Sequence, residues 1–87
     1  MIYYVALSFT RVEGGLASGQ AVECPHERGA IRRAYEMSCN SANAGAVAFS
    51  RQGDPNLGEF QDAVILKTFG EVPEDFEPSP HSEQALQ

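Results

Sequence analysis

The chain has 87 residues, 43% of them hydrophobic, and a formal net charge of −6 at pH 7. This length predicts one domain, which buries only roughly 60% of the surface of its unfolded chain and is expected to be marginally stable without a partner. No apolar run reaches the roughly 20 residues of a membrane helix, and residues 1–5 show neither a basic region nor a cleavage site. We expect a cytoplasmic protein with no membrane partner.

The acidic charge is concentrated at the C-terminal end. Residues 71–87 contain five acids and no Lys or Arg, whereas residues 1–70 contain seven acids and all six bases. The body therefore has a net charge of about −1 and lacks the basic stripe that phosphate neutralisation requires. This distribution argues against sequence-independent nucleic-acid binding and leaves room for a local basic patch.

The first predicted element is a hairpin. Residues 2–9 alternate between two faces and are rich in aromatic and β-branched residues, which predicts a strand. Gly14 and Gly15 then supply positions that accept positive φ angles, as a tight turn requires. Residues 16–23 return as a second strand, in which Gly19 has no side chain to pack and is expected to weaken the strand.

A helix is predicted at residues 25–39, because Pro25 suits a first helical turn and Glu27 favours the positive end of the helix dipole. A narrow apolar stripe is expected to cover one face of a sheet; its members are Ala30, Ile31, Ala34, Tyr35 and Ser38. Residues 40–43 are turn formers that end the helix.

Two further strands are predicted at residues 46–51 and 63–69. The link between them, residues 52–62, is crowded with Gly, Asp, Pro and Asn and is expected to be a structured loop. The predicted architecture is α+β, in the order β-β-α-β-β, with a mostly antiparallel four-stranded sheet and one helix packed on a face.

This domain is predicted to occupy residues 1–72, followed by an acidic, Pro-rich tail at residues 73–87. The tail has too little apolar surface to offset the entropy of ordering, so we expect it to be mobile, with Phe76 as its anchor.

The first and last strands carry apolar side chains on both faces. Tyr4 is predicted to lie opposite Val5, and Leu66 opposite Phe69, so a single helix leaves the second sheet face without a cover. Self-association or docking onto another protein would supply it. The sequence therefore predicts a homodimer or protein-interaction module without enzymatic activity.

The second half of the chain contains a distinctive segment. Residues 44–51 read AGAVAFSR, residues 53–55 read GDP, residues 57–60 read LGEF and residues 69–73 read FGEVP. This pattern resembles one found in a group of short bacterial proteins to which no activity is assigned. The resemblance implies a bacterial, cytoplasmic origin and carries over no functional residue.

Cys24 falls at the predicted helix N-cap, two residues before His26. A helix N-terminus and a protonated His both lower a thiol pKa, so a thiol-dependent enzyme centred on these two residues is one alternative. No third, orienting group accompanies them, and a partly buried structural residue is the preferred interpretation of Cys24.

Cys39 lies about 22 Å further along the predicted helix, too far for a disulfide or a shared metal site, and His81 lies in the predicted tail. We expect no metal and no cofactor.

Arg28, Arg32 and Arg33 place half of the chain's positive charge on the predicted helix. Like charges one turn apart repel unless an anion or carboxylate lies between them, so an acidic peptide or a phosphate is the implied partner. A small nucleic-acid-binding or regulatory factor that uses these arginines is a further alternative. Glu36, four residues after Arg32, offers internal neutralisation, so the preferred interpretation is a solvated helix face with local salt bridges.

Overall fold

The computed structural model describes residues 1–54, 56–74 and 76. They form, in chain order, β1 (Ile2–Val12), β2 (Gly15–Cys24), α1 (Glu27–Cys39), β3 (Gly45–Asp54), β4 (Glu59–Phe60) and β5 (Val64–Gly70). Each strand pairing in this part of the chain is antiparallel, and the strand order is β2-β1-β3 with β4 and β5 both pairing with β3. The predicted α+β fold is confirmed, with the two-residue β4 as an addition.

The helix connects strands that are not neighbours. β2 and β3 both pair with β1 in the antiparallel sense, so they run parallel to each other on either side of it. α1 joins them across the sheet and packs against β1 and β3. No helix within the described ranges is both long and apolar enough to cross a membrane.

The predicted first hairpin is present, with a longer first strand and a bulge in the second. The register shifts between Leu7 and Phe9, where β2 places both Gly19 and Gln20 opposite Ser8. The Gln20 N–H donates to Ser8 Oγ over 2.9 Å, and a Cβ on Gly19 would lie only 2.7 Å from that oxygen. A side chain at position 19 would therefore displace Ser8 Oγ from its hydrogen bond with Gln20, which favours glycine at this bulge.

α1 begins two residues later than predicted. His26 is the N-cap, in an extended conformation, and its Nδ1 accepts a hydrogen bond from the Gly29 N–H over 3.3 Å. The residues that α1 buries are Ala30, Ala34 and Met37. Tyr35, predicted to belong to this stripe, is 55% exposed, because it lies one helical position, about 100°, beyond Ala34.

Apolar side chains form one cluster on each face of the sheet. Between the sheet and α1 the buried residues are mostly alanines, which let the helix approach closely; they are Ala6, Ala30, Ala34, Met37, Ala46 and Ala48. The cluster on the opposite face, which we call the second face, is built on Phe9, Val47 and Phe49.

A bulge changes the predicted alternation of the last strand. The register between β3 and β5 shifts between Ala48 and Phe49, so that Ala48 pairs with Lys67 and Phe49 with Ile65. Leu66 and Phe69 consequently both pack against the helix-side cluster. The prediction that they lie on opposite faces is wrong, because it assumed an uninterrupted period of two.

The link between β3 and β5 is largely a hairpin. β3 continues to Asp54 and pairs with β4, and the Gln61 N–H donates to the Gln52 carbonyl over 2.7 Å. The Asn56 N–H donates to Asp54 Oδ1 over 2.9 Å, which confirms the expectation that this link is structured.

After β5 the chain crosses the start of β3 and reaches the second face. Gly70 has a φ of 70°, and the Glu71 N–H donates to the Ala44 carbonyl over 3.0 Å. A Cβ on Gly45 would overlap the backbone of Glu71. We call residues 71–74 and 76 the C-terminal segment.

The C-terminal segment covers part of the second face. The Phe76 ring packs edge-on against Phe9, with ring centroids 5.2 Å apart, and Val72 packs on the same cluster. The predicted anchoring by Phe76 is confirmed. The remainder of the predicted tail, residues 77–87 with His81, lies outside the described residues.

Candidate functional site

Two depressions lie beside the N-terminal half of α1. The larger has a volume of about 610 Å³ and is lined by His26, Arg28, Gly29, Ile31 and Arg32. We call it the arginine depression. The smaller, which we call the cysteine depression, has a volume of about 220 Å³ and includes Cys24, His26, Arg32, Arg33 and Glu36. The two share His26, Gly29 and Arg32, so the five candidate residues from the sequence line two adjoining depressions and not a single one.

Cys24 lies close to the start of α1 but does not occupy its N-cap. Cys24 ends β2 and is half-buried, and its Sγ lies 3.8 Å from the Val22 carbonyl, to which it donates a weak hydrogen bond. The prediction that Cys24 caps the helix is wrong, because His26 holds that position. No hydrogen bond joins Cys24 to His26 within the described residues, and His26 Nδ1 is already used in the cap. The thiol therefore has no hydrogen-bonded base among the described residues, and it lies beside the first turn of α1 without capping it.

The capping role of His26 also defines its tautomer. An imidazole nitrogen that accepts a hydrogen bond carries no proton, so in the neutral ring the proton is on Nε2. The His26 ring lies at the border that the two depressions share.

The three helix arginines are exposed and do not behave as one cluster. Arg28 and Arg32 are one turn apart and line the arginine depression, whereas Arg33 lines only the cysteine depression, together with Glu36. The expected local salt bridges are not formed. Within the described part of the chain, none of the three arginines lies within 4 Å of a carboxylate oxygen.

A third depression lies on the second face, beside the part that the C-terminal segment covers. It has a volume of about 310 Å³ and is lined by Tyr3, Val5, Glu23, Phe49 and Arg51. We call this surface the open sheet face. Val5 pairs with Glu23 on one side and with Phe49 on the other, and Phe49 pairs with Ile65. These pairs form one row across four strands, with an acid at one end and a 45% exposed Ile65 at the other.

The margins of the open sheet face carry opposite charges. Glu23 is exposed on β2, and Arg51 is half-buried on β3. Burial lowers the pKa of the Arg51 guanidinium from its ordinary value, and the nearby Asp62 carboxylate opposes this shift. The apolar centre of the surface, Val5 and Phe49, thus lies between a negative and a positive edge.

Two polar pairs lie outside these surfaces. Arg11 Nη2 and Glu71 Oε1 are 2.6 Å apart, joining the end of β1 to the C-terminal segment, and this hydrogen bond lowers the pKa of Glu71. A hydrogen bond with the Cys39 side chain raises the pKa of Tyr35 at the far end of α1.

Cys24 and Cys39 are both free thiols, and no group of three metal-ligating His, Cys, Asp or Glu occurs among the described residues.

Comparisons with protein-family models, with curated proteins and with solved structures find no match to this chain. The candidate surfaces are therefore defined by their own geometry. The sequence pointed to the arginines and to an uncovered second face, but not to the charged margins of the open sheet face, because these come from β2 and β3 and meet only through the register with β1.

Proposed function

We propose that this protein is a small, non-catalytic interaction module of the bacterial cytoplasm, and that it forms a homodimer through the open sheet face. The observation that carries the proposal is the row of Val5, Phe49 and Ile65 on the second face: Phe49 is itself buried, at 8% exposure, but Val5 beside it is only half-buried and Ile65 is 45% exposed. An apolar sheet face of this kind gains free energy when a second layer removes it from water.

The opposite charges at the margins of the open sheet face favour a second copy of this chain as the partner that covers it. In a dimer with twofold symmetry the same surface patch meets itself, so each charged edge must find its opposite on the partner. Glu23 and Arg51 lie on strands that flank β1, about 10 Å apart by the usual strand spacing. A twofold axis through Val5 would place Glu23 of each copy near Arg51 of the other.

The cytoplasmic setting is supported by the two thiols. Cys24 and Cys39 are free, and unpaired thiols persist in reducing compartments. This part of the proposal is independent of the dimer.

The first test is the solution mass by light scattering across a wide concentration range. The full chain is expected to change from monomer to dimer as the concentration rises. Ile65→Lys, which places a charge on the open sheet face, should weaken association by at least about tenfold, since it buries an unpaired ammonium. Val64→Lys is the matched control, because Val64 is 60% exposed on the same strand and pairs with Ser50 on the opposite face.

A charge exchange tests the symmetry of the contact. Glu23→Arg should weaken the dimer by like-charge repulsion, and adding Arg51→Glu to the same chain should restore it. Circular dichroism of each variant checks that it is folded. A wild-type monomer at every concentration, or an equal loss in Val64→Lys and Ile65→Lys, would contradict the proposal.

A further inference from the structure

We infer that the arginine depression binds a compact phosphate group carried by a small ligand. Among the residues that the structure describes, the polar side chains that line it are His26, Arg28 and Arg32, and none of the lining residues is a carboxylate. Guanidinium groups only donate hydrogen bonds, and His26 has its Nδ1 occupied by the Gly29 N–H, which leaves the Nε2–H as a donor. The polar side chains of this depression therefore offer donors and positive charge.

The spacing of the two arginines suits a single anion. Residues four apart on a helix have Cβ atoms about 5–6 Å apart, so Arg28 and Arg32 can both direct a guanidinium at one phosphate. Neither arginine is paired with a carboxylate in the described chain, although Glu36 follows Arg32 by one turn. A bound anion would therefore relieve the repulsion between the two guanidinium groups.

The size and charge of the surroundings favour a small ligand over a nucleic acid. The volume of about 610 Å³ falls within the range of roughly 300–1,000 Å³ that small-molecule sites occupy. Gly29 and the half-buried Ile31 supply an apolar wall for the part of the ligand that follows the phosphate. Residues 1–70 have a net charge of about −1, so a long polyanion would find no basic stripe beyond the three arginines of α1.

The test is a calorimetric titration of the full chain with pyrophosphate, with inorganic phosphate and a short single-stranded oligonucleotide as separate arms. Arg28→Gln and Arg32→Gln should each weaken pyrophosphate binding by at least about tenfold, the loss expected for a charge-assisted hydrogen bond. Arg33→Gln is the matched control. It removes the same charge from the same helix but outside the arginine depression, and should change binding by less than about threefold, as expected of a screened charge.

The outcomes separate this site from its alternatives. Equal losses in Arg32→Gln and Arg33→Gln would mean that pyrophosphate responds only to helix charge, and would overturn the inference. Absence of wild-type binding at millimolar pyrophosphate would also overturn it, as would oligonucleotide binding that is tighter and depends on all three arginines. The dimer proposal is tested independently, because Ile65→Lys lies on the other face of the sheet and should leave pyrophosphate binding unchanged.

Discussion

His26 has a defined structural role as the N-cap of α1. Its imidazole closes the first turn of α1 by accepting the Gly29 N–H, a position at which Asp, Asn, Ser and Thr are the usual residues. The same ring borders both depressions, so the helix start and the arginine depression share one side chain.

Replacement of this cap is expected to change stability in a graded way. His26→Ala leaves the Gly29 N–H without its acceptor and should lower the free energy of unfolding by about 1 kcal/mol. His26→Asp should recover this loss, because a carboxylate is a strong cap and is favoured at the positive end of the helix dipole. Urea unfolding of the three proteins measures the effect, and a His26→Asp variant no more stable than His26→Ala would refute it.

Glu71 contributes stability that depends on pH. Arg11 holds the pKa of the Glu71 carboxyl in the folded state below its ordinary value, so the unfolded chain binds the proton more readily. This contribution is present when the pH is above the ordinary carboxyl pKa, and it is lost as the pH falls through the lower folded-state pKa. Wild type should therefore be slightly more stable than Glu71→Gln at pH 7, and the difference between the two melting temperatures should shrink as the pH is lowered through the carboxyl range. A difference that stays constant as Glu71 becomes protonated would contradict this assignment.

At the level of elements, the crossing of the C-terminal segment over β3 is the most sterically constrained junction. The ideal Cβ of Gly45 would overlap the backbone of Glu71, which cannot move without displacing the Glu71 to Ala44 hydrogen bond. Gly29, in contrast, lies in α1, where an added Cβ would make its nearest contact with the His26 ring at 3.4 Å.

These two glycines should respond in opposite directions to the same substitution. Gly45→Ala is expected to destabilise the fold by at least about 2 kcal/mol through overpacking, and to release Phe76 from Phe9. Gly29→Ala should be neutral or stabilising by up to about 1 kcal/mol, since Ala is the better helix former. Thermal unfolding and NMR contacts between the two phenylalanine rings measure both effects. Equal stability of the two variants would show that the crossing is not tightly packed.

The elements were largely predictable from the sequence, whereas their irregularities were not. Alternation in residues 2–9 and the turn at Gly14 were sufficient for the first hairpin, because both signals are local. The bulge opposite Ala48 and Phe49 left no local signal, since it depends on how β5 aligns with β3. The helix start was misplaced because Pro25 and Cys24 fit generic N-terminal positions, while an imidazole is an unusual cap.

At the level of the molecule, the two sheet faces are covered by different means. α1 closes one face through small side chains, and the other is covered in part by Val72 and Phe76. The sequence predicted that the second face needs a cover, and the C-terminal segment supplies some of it. The open sheet face is what remains, and its boundary with Phe76 comes from a contact with Phe49 that no local pattern indicates.

The interior position of β1 in the sheet affects how the chain folds during its synthesis. β1 is made first, yet it lies in the interior of the sheet and pairs along one edge with β3, whose residues are synthesised more than thirty positions later. The nascent N-terminal hairpin therefore exposes an unsatisfied backbone edge and the apolar side chains of β1 until β3 has left the exit tunnel. Until β3 emerges, the edge of β1 that will pair with it is exposed to solvent. We expect chaperones to bind the nascent chain at this stage.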